Sequence, residues 1–205
     1  MMATQQALLL VDLQNDFCAG GALAVNKGDE VIAIANQYAA EFTQRHQPVI
    51  ATLDWHPADH GSFATVAGHS PWTEGELAGL PQVWWPDHCI QHSHGAALHP
   101  LLEQSFITER ICKGQNPQMD SYSGFFDNGH RNKTALDAVL KASNITALTV
   151  MGLATDYCVK YTVLDALALG YTVTVITAGC RAVNLSPGDA DRALSEMAAR
   201  GAVIL

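Results

Sequence analysis

Residues 147–170, ALTVMGLATDYCVKYTVLDALALG, contain an apolar run that passes through a short polar turn into a helical pattern. Ala147–Met151 is short, apolar and partly β-branched, as buried strands are. Tyr157–Leu169 has helical spacing and ends beside Gly170, a residue type that commonly terminates helices. The stretch therefore predicts one strand–helix unit of an α/β protein.

The same alternation recurs along the chain. Further short apolar runs predict buried strands at Ala7–Asp12, Pro48–Asp54, Phe106–Cys112, Tyr171–Thr177 and Ala202–Leu205. Further segments with helical spacing are Glu30–His46, Lys133–Ser143 and Asp189–Ala199. Alternating strands and helices predict a three-layer α/β fold, in which a mostly parallel sheet of about six strands has helices on both faces.

The domain organisation follows from length and from one interruption of this pattern. With 205 residues, of which 48% are hydrophobic, the chain can bury one sizeable core, so we expect a single domain over residues 1–205. Residues 57–102 have little periodicity, but Asp54–His99 contains all four tryptophans and most of the nine histidines. Because ordered loops of this length are usually functional, we expect a long excursion that builds and covers a site.

Charge and cysteine content restrict the partners and the compartment. The formal net charge of −9 disfavours polyanionic partners, so we expect no nucleic acid binding. Five cysteines form no C-x-x-C pair, which favours a reducing, cytoplasmic location. The apolar run that begins at Ala7 is interrupted by Asp12, which predicts a strand and not a signal peptide. No apolar stretch approaches the roughly 20 residues of a membrane span, so we expect no membrane association.

Ligands of parallel α/β sheets bind beyond the carboxyl ends of the strands, so the residues that follow each predicted strand are candidates for function. Asp12 closes the first apolar run, where a carboxylate in a partly dry site suits a general base; the alternative is that it caps a turn. Gln14 and Asp16 are interpreted as residues that organise the following loop through hydrogen bonds. Lys113 follows the third run and could be a solvated surface lysine. Beside Asp12, however, it would keep that carboxylate ionised and lower the pKa of a nearby thiol.

Cys158 is the strongest candidate for a nucleophile. It lies at the start of the helical pattern that follows Ala147–Met151. A helix N-terminus favours a thiolate and can stabilise an oxyanion. The other cysteines are interpreted as inert thiols, which are usually buried: Cys18, Cys89, Cys112 and Cys180.

Asp54 and His56 end the second predicted strand and are candidate metal ligands. Side chains two residues apart on a strand point to the same face, so a carboxylate and an imidazole here can reach one ion. Residue spacing leaves the third ligand open among His60, His69, His88, His92, His94 and His99. For each of these the alternative is an ordinary loop histidine.

Five motifs occur in order along the chain: DLQNDF at 12–17, DWH at 54–56, WPDHC at 85–89, KGQNPQMDSYSGF at 113–125 and GLATDYCV at 152–159. Together they resemble the nicotinamidases of the isochorismatase-like cysteine hydrolase superfamily, over nearly the whole chain. The resemblance implies a Rossmann-like, isochorismatase-like hydrolase fold. It also implies a C–N hydrolase that acts on a linear amide, converting nicotinamide to nicotinate and ammonia through a Cys158 thioester in NAD salvage. We further expect hydrolysis of pyrazinamide, and a monomer or homodimer.

Site roles follow from the same resemblance. It implies a catalytic triad of Asp12, Lys113 and Cys158. The oxyanion hole would consist of the backbone N–H groups of Ala154 and Cys158, shaped by a cis peptide between Leu153 and Ala154.

The resemblance also implies one divalent metal ion, with zinc as the first choice and iron or manganese as alternatives, facing the pyridine nitrogen. Asp54, His56 and His88 match the family's ligands, and His60 matches a position that supplies a further ligand in some relatives. The substrate pocket would be lined by Phe17, Trp85, Tyr122 and Tyr157.

The sequence also leaves sibling families and other function classes as alternatives. Isochorismatases lack the catalytic cysteine, whereas N-carbamoylsarcosine and ureidoacrylate amidases generally lack the full set of metal ligands. The presence of Cys158 together with the metal-ligand set therefore favours the nicotinamidase interpretation. A second class is a metallohydrolase in which metal-bound water attacks and Cys158 is structural. A third is a binding or scaffold protein on the same fold.

Overall fold

A computed structural model describes residues 5–205 of the chain. The strands are β1 (Gln6–Val11), β2 (Val49–Asp54), β3 (Glu74–Leu77), β4 (Leu80–Val83), β5 (Glu109–Lys113), β6 (Ala147–Leu153), β7 (Thr172–Arg181) and β8 (Val203–Ile204). The α-helices are α1 (Glu30–Gln44), α2 (Ala64–Ala67), α3 (Leu136–Ala142), α4 (Lys160–Ala168) and α5 (Asp189–Ala199). Two 3₁₀ turns, Asn15–Phe17 and Gln104–Phe106, and a π-helix, Thr155–Val159, complete the secondary structure. The single domain predicted over residues 1–205 stays a prediction, and residues 1–4 lie outside the described range.

Six strands form the main sheet in the order β5-β2-β1-β6-β7-β8, and every neighbouring pair is parallel. Counted within this sheet, the order is the 3-2-1-4-5-6 order of doubly wound folds. Right-handed crossovers put α1 on one face and the three helices after β5 on the other. The predicted α/β fold, with a parallel six-stranded sheet and helices on both faces, is confirmed.

The order of the strands reverses between β1 and β6. From β1 the chain builds the sheet through β2 to β5 on one side, and then returns to place β6 on the other side of β1. A crevice opens at the carboxyl ends of the strands at such a point. Asp12 follows β1, and the π-helix that carries Cys158 follows β6. Two candidate catalytic residues therefore face each other across this crevice.

Differences from the sequence-based elements are local. The third predicted strand began at Phe106, but β5 begins at Glu109, because Gln104–Phe106 forms a 3₁₀ turn in which Ser105 N donates to the Glu103 carboxylate. The excursion at 57–102 contains the antiparallel β3–β4 hairpin, which the sequence did not indicate. Most hairpin residues are exposed, so no alternation of apolar and polar residues marks them.

The core lies on both sides of the sheet. Residues Ala7–Val11 of β1 are at most 1% exposed, as expected of a central strand covered by helices on both faces. Within residues 5–205, no helix is both long and apolar enough to cross a lipid bilayer.

Gly152 allows the close approach of β6 to β1 beside the crevice. Its φ is +138°, and a Cβ atom built on it would lie 2.1 Å from the carbonyl oxygen of Val11. A side chain at this position would therefore push apart β1 and β6, the two strands that lead to Asp12 and to the π-helix with Cys158.

We expect Gly152→Ala to lower the free energy of unfolding by about 2–4 kcal/mol, because a methyl group must be packed against the backbone at an unfavourable φ. The matched control is Gly170→Ala, where φ is +93° but nothing lies within 4 Å of the added Cβ. That change should lower the free energy of unfolding by only about 1–2 kcal/mol, the cost of placing a non-glycine residue at a positive φ. Urea denaturation of both variants measures the difference, and equal losses would contradict the role of the strand contact.

Candidate active site

Lys113 lies at the centre of a buried network below the crevice. It ends β5, and its side chain is 1% exposed. Its Nζ atom lies 3.0 Å from Asp12 Oδ2, 2.7 Å from Asp54 Oδ1 and 3.4 Å from Cys158 Sγ, and it donates to the Ser121 carbonyl at 3.0 Å. The structure thus brings the three residues of the predicted triad into one cluster.

Asp12 is oriented so that one carboxylate oxygen is held and the other is available. Thr52 Oγ1 donates to Asp12 Oδ1 at 2.6 Å. Asp12 Oδ2 is buried without an aligned hydrogen-bond donor, although Lys113 Nζ lies 3.0 Å away. Asp12 Oδ2 is therefore the oxygen that could accept a proton from Cys158. Sequence reasoning missed Thr52, because nothing in an apolar strand pattern indicates a partner 40 residues away.

Burial controls the protonation states of this network. Burial raises the pKa of Asp12 above its usual value, and the ammonium of Lys113 opposes that rise only in part. Burial disfavours the charge on Lys113, but the carboxylates of Asp12 and Asp54 outweigh it and hold the Lys113 pKa well above its ordinary value. Lys113 is consequently a permanent cation.

The protonation state of Cys158 differs from the sequence-based expectation, which was a thiolate favoured by the helix N-terminus. Burial raises the Cys158 pKa well above that of an ordinary thiol, and the ammonium of Lys113 does not fully offset it. The Asp12 carboxylate raises this pKa further. Cys158 is thus held as a thiol near neutral pH, and it needs a base to become a nucleophile.

Asp54, His56 and His88 place three potential ligand atoms within 4.8 Å of one another. His56 Nδ1 lies 2.8 Å from the Gly114 carbonyl and His88 Nδ1 lies 2.7 Å from the Pro86 carbonyl. Carbonyls only accept, so each Nδ1 carries the proton and each Nε2 remains for an ion. His56 Nε2 is buried without a hydrogen-bond partner and lies 3.2 Å from Asp54 Oδ2. The residues present therefore fit a divalent metal.

The electrostatics of this cluster favour a positive charge. His88 Nε2 lies 3.4 Å from the same Asp54 oxygen. Burial lowers the pKa of His56, but the Asp54 carboxylate outweighs it and raises that pKa overall. Asp54 remains ionised because His56 and Lys113 outweigh its burial and hold its pKa well below the usual value.

His60 lies beside this cluster and groups with different residues. Its ring centroid is 4.2 Å from that of His56, and its ligand atom lies within 4.8 Å of His56 and Asp120. His60 Nε2 is buried without a hydrogen-bond partner, while Nδ1 lies 2.7 Å from Ser62 Oγ. Burial and the neighbouring His56 lower the His60 pKa to about 4, so its ring is neutral at physiological pH.

The remaining candidate histidines lie apart from these groups. His69 stacks on Trp84 with ring centroids 4.9 Å apart, and His92 packs edge-on against Trp55 at 5.3 Å. Among the residues that the structure describes, neither they nor His94 and His99 belong to a potential metal cluster.

A pocket lies above Cys158, with about 370 Å³ of empty space that is partly open to solvent. Its lining includes all four residues predicted for the substrate site, namely Phe17, Trp85, Tyr122 and Tyr157. Ala154 and the candidate metal ligands Asp54 and His88 also line it. Leu23, Asp120 and Val183 line it too and were missed. Leu23 and Val183 lie outside the five motifs, and Asp120 lies within the motif at 113–125 but was given no role.

Aromatic rings form one wall of the pocket. Trp85 packs edge-on against Tyr157 with centroids 4.9 Å apart, and Tyr157 lies 5.3 Å from Tyr122. Trp85 Nε1 donates to the Tyr122 hydroxyl at 3.2 Å. This arrangement suits a small planar ring. The peptide between Leu153 and Ala154, at the base of the pocket, is cis.

Loop residues after β1 have the structural roles expected for them. Gln14 donates to the carbonyls of Asp54 and Ala96, and it accepts from Asp54 N. Asp16 accepts from Cys89 N at 2.7 Å. These bonds fix the loop beside His88, and the interpretation of both residues as loop organisers is confirmed.

Comparison with known proteins gives a consistent set of similarities. The family model described as the isochorismatase domain matches residues 6–205. A nicotinamidase from Escherichia coli strain K12 is 60% identical over 97% of this chain and 93% of that protein.

Two solved structures are also similar. A nicotinamidase/pyrazinamidase from Acinetobacter baumanii superimposes with a TM-score of 0.93 at 38% identity, covering 100% of this chain and 97% of the other. A Pyrococcus horikoshii pyrazinamidase in complex with zinc has a TM-score of 0.81 at 35% identity and covers 98% of both chains.

The protonation state of Cys158 can be measured directly. Because burial raises its pKa, we expect thiolate absorbance from Cys158 to appear only above the ordinary pH range of a cysteine. The ultraviolet difference spectrum between the native protein and Cys158→Ala, followed against pH, isolates this signal from those of the other four cysteines. A thiolate signal already present at neutral pH would contradict the expectation.

Proposed function

This chain belongs to the isochorismatase family, and we propose that it is a nicotinamidase, which hydrolyses nicotinamide to nicotinate and ammonia through a thioester on Cys158. The observation that carries the proposal is the buried cluster in which Lys113 Nζ lies 3.0 Å from Asp12 and 3.4 Å from Cys158, at the base of an aromatic pocket. The nicotinamidases among its relatives support the same substrate.

In the proposed first half-reaction Asp12 Oδ2 takes the proton from Cys158 Sγ, and the thiolate attacks the carboxamide carbon. The backbone N–H groups of Ala154 and Cys158 stabilise the resulting oxyanion. Asp12 then returns the proton to the departing nitrogen, which leaves as ammonia, and a nicotinoyl thioester remains. This divides one difficult displacement into two easier ones.

In the second half-reaction Asp12 takes a proton from a water molecule that attacks the thioester carbon. The carbon–sulfur bond breaks, and Asp12 returns its proton to the Cys158 sulfur. Nicotinic acid is released and loses its remaining proton to solvent as nicotinate. Lys113 stays protonated throughout, because its two carboxylate partners hold its pKa high. Its role is therefore to stabilise negative charge on Asp12 or Cys158, and not to transfer a proton.

The metal site is assigned to Asp54, His56 and His88, with His60 as a further candidate ligand. We propose zinc as the first choice, since a pyrazinamidase relative was solved with zinc, and iron or manganese suit the same donors. A divalent ion supplies a Lewis acid that can orient a ring nitrogen. Phe17, Trp85, Tyr122 and Tyr157 enclose the ring and exclude water from it.

The cellular assignments extend this proposal. Nicotinamide hydrolysis places the protein in NAD salvage. On composition and cysteine usage we propose a cytoplasmic protein that acts on a small molecule, as a monomer or homodimer without nucleic acid or membrane partners.

Removing the nucleophile tests the reaction class. We expect Cys158→Ala to reduce ammonia release from nicotinamide by roughly 10⁴-fold or more, because no other group can form the thioester. The control is Cys112→Ala, which removes a half-buried thiol outside the cluster and should leave the rate unchanged. Ammonia release from both variants is compared with that from metal-replete wild type. Near-normal turnover by Cys158→Ala would instead indicate a metallohydrolase in which bound water attacks.

Pyrazinamide tests the substrate pocket. It keeps the carboxamide and an aromatic ring nitrogen, so we expect its kcat/KM to lie within roughly 100-fold of that for nicotinamide. Benzamide is the matched control, because it has the same shape without a ring nitrogen, and its kcat/KM should be lower than both. Efficient turnover of nicotinamide with none of pyrazinamide would refute this prediction.

A further inference from the structure

Gln82 is a buried amide on an otherwise exposed hairpin. Half of the residues of β3 and β4 are exposed and most of the others are half-buried, but Gln82 is only 4% exposed. Its Nε2 group donates to Asp120 Oδ2 at 2.7 Å and to the Val83 carbonyl at 2.7 Å. Both N–H groups of the amide are therefore used, and one of them reaches a carboxylate 38 residues along the chain.

Asp120 is a buried carboxylate without a cationic partner. It is 3% exposed and lines the pocket above Cys158. Its Oδ1 atom accepts from Ser121 N at 2.8 Å. Between residues 5 and 205, no lysine, arginine or histidine forms an ion pair with it. A buried charge that has only neutral donors is costly unless a counter-charge lies nearby.

The nearest cation-binding groups face Asp120 from the metal site. A carboxylate oxygen of Asp120 and ring nitrogens of His56 and His60 all lie within 4.8 Å of one another. The Nε2 atoms of both histidines are buried without a hydrogen-bond partner. A cation held at His56 would therefore have two carboxylates nearby, those of Asp54 and Asp120.

We propose that Gln82 is a positioning residue that holds the Asp120 carboxylate towards the metal site. Asp120 acts there as a second negative group, beyond the ligands assigned above. The β3–β4 hairpin then contributes to metal binding through Gln82. The inference rests on the metal site of the proposed function. It does not depend on which amide is hydrolysed.

The hairpin has other anchors, so the Gln82 bond is not needed simply to hold it in place. Arg131 donates to the Ala78 carbonyl at the hairpin tip, and Trp85 N, two residues after β4, donates to the Ser62 carbonyl outside the hairpin. Loss of the Gln82 donor should therefore release the Asp120 carboxylate while the hairpin stays paired.

The experiment measures Zn²⁺ affinity by competition with a chromogenic chelator, with no amide substrate present. Gln82→Met keeps the length of the side chain and removes the donor. Since loss of an outer partner of a metal site typically weakens binding 10–100-fold, we expect the Kd for Zn²⁺ to rise about tenfold. Asp120→Asn should raise it at least as much. The double variant should bind no more weakly than Asp120→Asn, because Gln82 acts only through Asp120.

The matched control is Arg131→Met, which removes another hairpin anchor without touching Asp120 and should leave the Kd for Zn²⁺ within twofold of wild type. Circular dichroism and thermal melting check that each variant is folded. Gln82→Leu provides a second variant without a donor if Gln82→Met does not fold.

Three results would overturn the inference: wild-type affinity in folded Gln82→Met, additive losses in the double variant, or an equal loss in Arg131→Met. Nicotinamide turnover by the wild type is measured separately. Its absence with a normal Zn²⁺ series would reject the proposed substrate while leaving the role of Gln82 supported.

Discussion

The buried ammonium group of Lys113 joins every reactive part of the site. It contacts the carboxylates of Asp12 and Asp54 and the sulfur of Cys158 within 3.4 Å, and it is almost completely shielded from water. A lone buried cation would be expensive, so each carboxylate stabilises it and is stabilised in return. Asp54 uses Oδ1 for Lys113 and Oδ2 for the two histidines. The Asp54 carboxylate therefore joins the proposed triad, through Lys113, to the proposed metal site, and the two form a single electrostatic unit.

The strand order of the sheet makes this unit possible. Asp54 and Lys113 are direct partners in the parallel ladder of β2 and β5, so their side chains leave the sheet side by side. Asp12 follows β1, the next strand, where Val11 pairs with Thr52 and brings the Thr52 hydroxyl to the Asp12 carboxylate. The sulfur arrives from β6, across the point where the strand order reverses. The charged groups Lys113, Asp54 and Asp12 therefore lie at the ends of the adjacent strands β5, β2 and β1. The next strand, β6, leads to the candidate nucleophile.

Sequence patterns predicted the parts of this arrangement that depend on local chemistry. Apolar runs that end in Asp12 or Asp54, or that are followed by Lys113, indicate buried strands with polar ends, and parallel strands bring such ends to one edge. The hairpin that carries Gln82 gave no signal, because a short, exposed strand has no buried face. Partners distant in the chain, such as Thr52 with Asp12, depend on register, which no local pattern specifies.

The protonation state of Cys158 also depends on tertiary structure. Its position near a helix N-terminus indicated a thiolate, but burial of the sulfur raises the Cys158 pKa more strongly than the nearby ammonium lowers it. The same burial raises the pKa of Asp12, so a dry site makes the thiol harder to ionise and the carboxylate a stronger base together. Proton transfer moves a negative charge from Asp12 Oδ2 to Cys158 Sγ, and both atoms lie beside the same ammonium, at 3.0 Å and 3.4 Å. The ion pair with Lys113 is therefore preserved before and after the transfer, which is how a buried thiol can be activated without bringing water into the site.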